Sequence, residues 1–464
     1  MKRKVLAVLL STAMAAAALT GCASGKTDET KAAAQGTKAE EDKQVETESE
    51  KAGDTAESTE ASGEEVSFDF SMHVANVQEQ EPAVYAVVQA FMEKNPNVKI
   101  NLTGEETNEH YNKMKMDAQA GTLPDVFFNL LAPSKEMAAN GDLYCLDDFI
   151  KENNLSSIMS DNMLNSLSID SSVYGLPYQK LVTGFWYNQA LFDEYNVKVP
   201  ESYDEILEAA KVFSENEITT IAKGAQDPYS VWGTMGLLCR FGYFDKIDAI
   251  LAGDECFNNP DFVKFYEKLD GLREAKAFPS NVATSTYYDA KEMFMSGKAA
   301  MFDSGTWESA YLEGSEYKDS IKFSWGVSFE DGIGDQNVSM QVPHAPLCIS
   351  AKVAEDPAKE AAILEFFKFY YSDEGAKIMI DNLCTPPTNY SGELDEAFLV
   401  EHPVFGNVLE AMKLDTVSPV MQPDNVSTEA YGNALYDSIY GVINGVYTPE
   451  EACDMVDNEI LLAQ

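Results

Sequence analysis

Between Val66 and Phe128 two periodicities alternate in a fixed order, and that order limits the fold more than any other feature of the chain. Val66, Phe68, Phe70 and Met72 recur at every second position, which predicts a strand. Pro82 then opens a stretch with Val84, Val87, Val88, Phe91 and Met92 at helical spacing, stopped by Asn95-Pro96. Val98, Ile100 and Leu102 predict a second strand, residues 106–120 a second helix closed by Gly121, and Val126-Phe127-Phe128 a third, continuously apolar strand. Strand, helix, strand, helix, strand implies parallel pairing with right-handed crossovers, hence an α/β fold. In such sheets ligands bind beyond the carboxyl ends of the strands. Those ends are residues 73–80 and 129–134, which makes His73, Asn76, Gln80 and Asn129 candidate contacts. For the first three, helix capping and loop solvation account for the same residue types.

The body that carries this pattern runs from about Val66 to Gln464. It exceeds the ~250–300 residues at which a single core stops growing, so two domains are expected. With 22 Tyr, 24 Phe and 4 Trp in the chain, material for a large core is present. Ahead of the body, Lys2-Arg3-Lys4 precede an apolar, alanine-rich run from Val5 to Ala18. That is a secretory signal peptide, too short for a span of ~20 apolar residues. Cys22 directly follows Leu19-Thr20-Gly21, which resembles the lipobox of bacterial lipoproteins. The resemblance implies removal of residues 1–21 and lipidation of Cys22. Residues 22–65 would then be the lipidated cysteine and an acidic linker. The linker has almost no large apolar residue, and five lysines face thirteen Asp and Glu. Such a segment cannot offset the entropy of ordering. These readings place the protein on the extracellular face of the cytoplasmic membrane, held by lipid.

The formal net charge of −44 argues against nucleic acid and other polyanions as partners. Six cysteines remain beside Cys22 (Cys145, Cys239, Cys256, Cys348, Cys384 and Cys453). They allow 15 pairings, and none has metal-ligand spacing. The reading favoured for most is a buried small hydrophobe. No HExxH and no Gly-x-Ser-x-Gly occurs. Ser315 to Lys318 fits Ser-x-x-Lys without its companion motifs, and Asp331, Asp335 and Asn337 fall short of an EF-hand loop. No metal, cofactor or catalytic group is expected.

Further on, Gly175-Leu176-Pro177-Tyr178 interrupts the pattern, and Leu181 to Tyr187 predicts a strand. Ser202-Tyr203-Asp204-Glu205 and Thr448-Pro449-Glu450-Glu451 read as capping boxes. Helices are expected over 260–275, 287–296 and 358–371. Several segments in order resemble the family 1 extracellular solute-binding proteins of ABC importers, close to the maltodextrin-binding type. They are Pro124 to Phe128 with Gly141-Asp142-Leu143, Gly175 to Tyr178, Trp186-Tyr187-Asn188, and Pro200 to Glu205. Met293 to Met301 followed by Gly305-Thr306-Trp307, Lys359 to Ala362, Ser372 to Gly375, and Val442 to Gly445 complete the series.

The resemblance implies a two-lobe, periplasmic-binding-protein-like (Venus flytrap) fold with a hinge between the lobes. Lobe one would be 66–176 plus 326–382, and lobe two 177–325 plus 383–464, with hinges at Pro177 and near Gly326. It implies a monomeric lipoprotein that captures a solute, foremost an oligosaccharide, and passes it to an ABC permease and its ATPase. The readings from other classes are a lipid-anchored glycan hydrolase and a ligand-sensing subunit of a membrane receptor. Sugars need flat aromatics and hydrogen-bonding side chains. Trp307 resembles the family's stacking tryptophan, against the plain reading of a core Trp. Trp232 sits among polar and glycine residues, as a cleft wall would have it. Tyr178 and Gln179 lie at the expected hinge. Arg240 and Asp303 are candidates for charged hydrogen bonds to hydroxyls, with plain salt bridges as the alternative. Tyr431 and Tyr436 fall where the family adds a late aromatic contact, although helical spacing suits core packing for one of them. Asn129 and Lys180-Leu181 depart from the maltodextrin-binding pattern.

Overall fold

The computed structural model describes residues 65–463 except 166, 229, 343–345 and 413–417. The expected signal peptide, Cys22 and all of the linker but Glu65 lie outside the described residues. Among the described residues no helix is long and apolar enough to cross a membrane.

Twelve strands among the described residues form two sheets. In chain order they are β1 (Val66–Met72), β2 (Val98–Gly104), β3 (Val126–Phe128), β4 (Leu167–Ile169), β5 (Ser172–Pro177) and β6 (Leu181–Asn188). After them come β7 (Thr219–Ala222), β8 (Ala299–Gly305), β9 (Ile321–Ser324), β10 (Val338–Val342), β11 (Pro346–Ile349) and β12 (Ser418–Val420). The first sheet has the order β2-β1-β3-β11-β5-β4 and the second β12-β10-β6-β8-β7, with β9 also on β6. As the opening pattern requires, β1 runs parallel to both β2 and β3. The intervening helices are α2 (Pro82–Lys94) and α3 (Thr107–Ala120); a short α1 (Val77–Gln80) precedes them. Val84, Val87, Val88 and Phe91 of α2 are all buried, because their spacing puts them on one face.

Each sheet has its own core. Beneath the first, Phe68, Phe70, Val84, Val88 and Phe91 meet Phe366, Phe367, Tyr370 and Tyr371. Beneath the second, Ile206, Phe213, Ile221, Phe241, Phe265, Leu269, Leu435 and Ile439 gather. Each such side chain contributes roughly 1.5–3 kcal/mol by leaving water. The two expected caps differ. Thr448 and Glu451 form a full box, the Glu451 amide donating to Thr448 Oγ1 and the Thr448 amide to Glu451 Oε2. Ser202 accepts from the Glu205 amide, but Glu205 reaches back to the Glu201 amide instead of closing on Ser202.

Two expectations shift. Gly175-Leu176-Pro177 does not interrupt a pattern; it is part of β5, held between β4 and β11. Glycine is required there because neighbouring strands come close: a Cβ on Gly175 would lie 2.8 Å from Leu167 Cδ2 and 3.0 Å from Pro346 Cβ. The return to the first sheet also comes later than Gly326. Val338–Val342 still pairs with β6 and β12, and the first sheet is rejoined at Pro346. The intervening loop stays on the second sheet because Arg240 donates to the Val327 and Trp325 carbonyls, while Gln336 donates to the Arg240 carbonyl. At the first crossing the Lys180 amide donates to the Thr385 carbonyl, and Thr385 Oγ1 donates to the Lys180 carbonyl. Tyr370 and Tyr371 donate to the Tyr178, Leu176 and Pro177 carbonyls just before it.

Candidate functional site

The ends of β1, β3 and β5 build one wall. His73, directly after β1, stacks on Phe128 at 3.8 Å between ring centroids and 20° between planes. Tyr178, directly after β5, meets Phe128 edge-on at 5.1 Å. Tyr111 of α3 lies 6.3 Å from the same ring. A carboxylate sits among them: Glu81 accepts from the Tyr178 hydroxyl at 3.2 Å and from Gln179 Nε2 at 2.9 Å. Burial pushes the Glu81 carboxyl up to about 8, and the charge of Glu308 adds to the push. His73 Nε2 is 4.0 Å from Glu81, but burial drives the imidazole down to about 3, so it stands neutral beside the acid.

The opposite wall grows from β8, every residue of which is buried. The turn Thr306–Glu308 follows it and carries Trp307. Trp307 meets Trp232 at 4.8 Å and 77°, and Trp232 meets Tyr287 at 5.4 Å and 88°. Trp307 Nε1 donates to the Tyr287 hydroxyl at 3.0 Å, and Tyr287 in turn donates to Glu308. Lys291 Nζ is 3.2 Å from Glu308 and lies 4.0 Å above the Tyr311 ring. Trp307 packs against the first sheet's core and Trp232 against a separate cluster on the second sheet that includes Trp186, Tyr287 and Phe302, so the indole pair spans the two bodies. Lys115 of α3 pairs with Glu429 at 2.5 Å, a contact that crosses between the sheets.

Trp232 opens the helix Trp232–Gly236, and its mount is buried. Asp303 on β8 accepts from the Gly233 amide at 2.6 Å, the Thr234 amide at 2.9 Å and Thr234 Oγ1 at 2.5 Å. Lys223 pairs with the same carboxylate, both side chains almost wholly excluded from water. An acid at a helix N-terminus satisfies amides that have no partner within the helix.

Two walls of aromatic faces, set with carboxyl, amide and hydroxyl groups, line the junction of the two sheets. Residues 86–401 match the family described as bacterial extracellular solute-binding protein, well over half of the chain. The chain belongs to this family. The multiple sugar-binding protein of Streptococcus mutans is 22% identical to it over 323 residues, 65% of this chain and 73% of that one. A solved chitin oligosaccharide binding protein superposes with a TM-score of 0.76 at 22% identity, over 86% of this chain and 99% of the other. A structure from work on xylan utilization by Caldanaerobius polysaccharolyticus gives 0.75 at 23%, over 84% and 99%. At these identities the structural likeness establishes the fold, the two-lobe architecture of solute-binding proteins. The chain spans about half to three quarters of the length of the curated relatives it matches.

Within the solute-binding protein the expected site residues divide. Trp307, Trp232, His73, Tyr178 and Gln179 come together at the junction. Tyr436 is half-buried and donates to Asp424 Oδ2 at 2.5 Å; burial pushes that carboxyl up to about 6. The others have structural roles in the packing seen here. Asn76 caps α1, accepting from the Glu79 amide, while its own amide donates to Gln80 Oε1. Asn129 is 1% exposed; its Nδ2 faces Met137 Sδ at 3.5 Å, and its Oδ1 is buried without a partner among the described residues. Arg240 pins the loop after β9. Asp303 spends its oxygens on the Trp232 mount, so its effect on a ligand would pass through that indole. Tyr431 is a core residue, its hydroxyl 2.6 Å from that of Tyr243.

Glu81, Tyr111, Tyr287, Tyr288 and Glu308 do not stand out as sugar contacts in the sequence. Glu81 stands just before Pro82 and reads as a helix start, while Tyr287-Tyr288 reads as helix packing. The signal available was the Glu308 carboxylate next to Trp307. The six cysteines beside Cys22 are free thiols; Cys239, Cys348, Cys384 and Cys453 are buried, while Cys145 and Cys256 are exposed.

Proposed function

We propose that this protein captures an oligosaccharide between its two lobes and delivers it to a membrane permease and its ATPase, without covalent chemistry. The observation that carries the reading is the Trp307–Trp232–Tyr287 aromatic set. Two indoles near a right angle offer one face to the C–H side of a sugar ring and a second to the next ring or edge. Glu81, Gln179, Glu308 and the Tyr111 and Tyr288 hydroxyls supply partners for sugar hydroxyls, and a buried partner left unpaired makes the wrong sugar costly. The sugar-binding names of the relatives point the same way. Lobe boundaries at about 177 and 383, with the middle return between β10 and β11, make a hinge of three chain crossings, and ligand touching both walls selects the closed form. The same reading takes Cys22 as the lipid anchor, the linker as a tether on the outer membrane face, and a monomer as the working unit.

Melting the purified chain against a panel of mono- and oligosaccharides tests this. A ligand at 100 times its Kd adds about 2.7 kcal/mol of stability. Stabilisation by one sugar class, with the sugar recovered intact, is the expected result. A flat panel refutes oligosaccharide capture, and a sugar recovered cleaved would make the protein a hydrolase.

A further inference from the structure

We propose that Tyr287 and Gly305 are positioning residues for Trp307: together they fix the indole so that it meets the ligand through its ring carbons rather than its N–H. The inference rests on the oligosaccharide reading and deepens it by naming how the tryptophan recognises its ligand.

The seat is a glycine whose backbone does not require one. Gly305 closes β8 with φ −153° and ψ −177°, extended backbone that any residue adopts. Glycine weakens a strand and often marks a close approach by another group. Here the group is the ring of Trp307. A Cβ on Gly305 would lie 2.0 Å from Trp307 Cζ3, 2.3 Å from Cη2 and 2.5 Å from Cε3. The six-membered half of the indole therefore occupies the space a side chain would take. The seat itself is pinned to β6. Trp186 Nε1 donates to the Gly305 carbonyl at 3.0 Å, Gly305 stands in register with Thr183, and Thr306 Oγ1 accepts from the Val182 amide at 3.2 Å.

Tyr287 supplies the second constraint. A tyrosine hydroxyl has one hydrogen to give and oxygen lone pairs to accept with, and here both capacities are taken. The hydrogen goes to Glu308 Oε1. The oxygen accepts from Trp307 Nε1 at 3.0 Å. It also accepts from Ser304 Oγ at 2.5 Å, which donates because the tyrosine's own hydrogen is already given. Lys291, 3.2 Å from Glu308, holds the far end of the chain. The helix Tyr287–Met295 carries the phenol, and the Thr286–Asp289 capping box fixes its first turn. Trp307 thus spends its only hydrogen-bonding group inside the protein, on a buried partner. The indole is half-buried, and what it leaves open is carbon surface, suited to the C–H side of a sugar ring.

Near-ultraviolet circular dichroism of the full chain, with isothermal titration of chitotetraose and xylotetraose, tests this. Tyr287→Phe removes only the hydroxyl, and Gly305→Ala fills the seat while asking nothing new of the backbone. Each is made in the parent and in the Trp307→Ala chain. In the free protein, the indole signal that Trp307→Ala removes should also be lost from both single variants. Tyr287→Phe should weaken binding of the tetrasaccharide that the parent takes by ~2- to 10-fold, the range of one hydrogen bond. In the Trp307→Ala chain neither substitution should weaken binding further, because residues acting through one group are not additive. An equal loss in both backgrounds overturns the inference, since Tyr287 would then serve the ligand or the fold directly. So do parent-like spectra for Tyr287→Phe and Gly305→Ala, a measurement that needs no ligand. If the parent binds neither tetrasaccharide, the oligosaccharide reading alone is weakened, and the spectra still decide whether Tyr287 and Gly305 position the indole.

Discussion

Replacing Asp303 by asparagine would break the mount of Trp232 while leaving the shape of the side chain almost unchanged. In the native protein this carboxylate holds the Gly233 and Thr234 amides and the Thr234 hydroxyl, and it neutralises Lys223. All of this lies out of reach of water, with Asp303 1% and Lys223 2% exposed. The side-chain amide of the Asp303→Asn variant would offer one oxygen where two now accept, and would leave the Lys223 ammonium buried without a counter-ion. Removing one partner of a buried pair costs roughly 3–5 kcal/mol. For a body of about 400 residues the unfolding entropy is about 0.8 kcal/mol per degree, so the melting temperature should fall by about 4–6 °C. Calorimetry reads the shift, and near-ultraviolet circular dichroism of the Trp232–Trp307 pair reads the loosened indole. Ligand affinity should fall with it. Melting within ~1 °C of the parent would refute the mount. If binding were lost at unchanged stability, Asp303 would be a direct ligand contact after all.

Trp307→Ala should weaken oligosaccharide binding by roughly 30-fold or more, the scale of a buried aromatic anchor, and binding as tight as the parent's by calorimetry would show that the site is elsewhere. Glu81→Gln should flatten the dependence of melting temperature on pH. The native carboxyl titrates near 8 rather than the ordinary 4.5, so its stabilising contribution is complete below about 4.5 and is lost as pH rises through 8. The same slope of melting temperature over that window in parent and variant would refute the assignment. Gly233→Ala places a Cβ 2.3 Å from the Gly184 carbonyl and 2.7 Å from Asp303 Oδ1. Backbone on one side leaves little room to yield, so a thermal melt should show a loss of about 1–3 kcal/mol, with weaker ligand binding through the displaced Trp232.

What the sequence made legible is local. The β1–β3 order, the helix over Pro82–Lys94 and the Thr448 cap all follow from neighbours within a turn or a strand, and the structure keeps them. Asn76 and Gln80 fell to the equally local rule of capping. Non-local facts were out of reach. Nothing near Gly175 announces that β11, far along the chain, will lie beside it and turn Gly175-Leu176-Pro177 into a strand. Arg240 and Asp303 look like ligand contacts in a sequence because charges are usually on the surface; burial and their backbone partners make them internal fasteners. Glu81 shows the reverse. It reads as one acid among 77, and its character comes from burial and from Tyr178, Glu308 and Gln179, which the fold delivers from distant segments.

The place of β11 has a consequence for how the polypeptide is made. This strand joins β3 to β5, pairing antiparallel with both. It is also the last strand of its sheet to leave the ribosome. A nascent chain that has emerged only as far as β10 holds two half-sheets, β2-β1-β3 and β5-β4, with open inner edges and no strand between them. In the second sheet the late strand β12 lies at the edge, on β10, so the strands around β8 are all present before it. Such long-range pairing makes folding slow. Until β11 is made, the wall built from the ends of β1, β3 and β5 cannot be set, and the first sheet stays open while the chain grows.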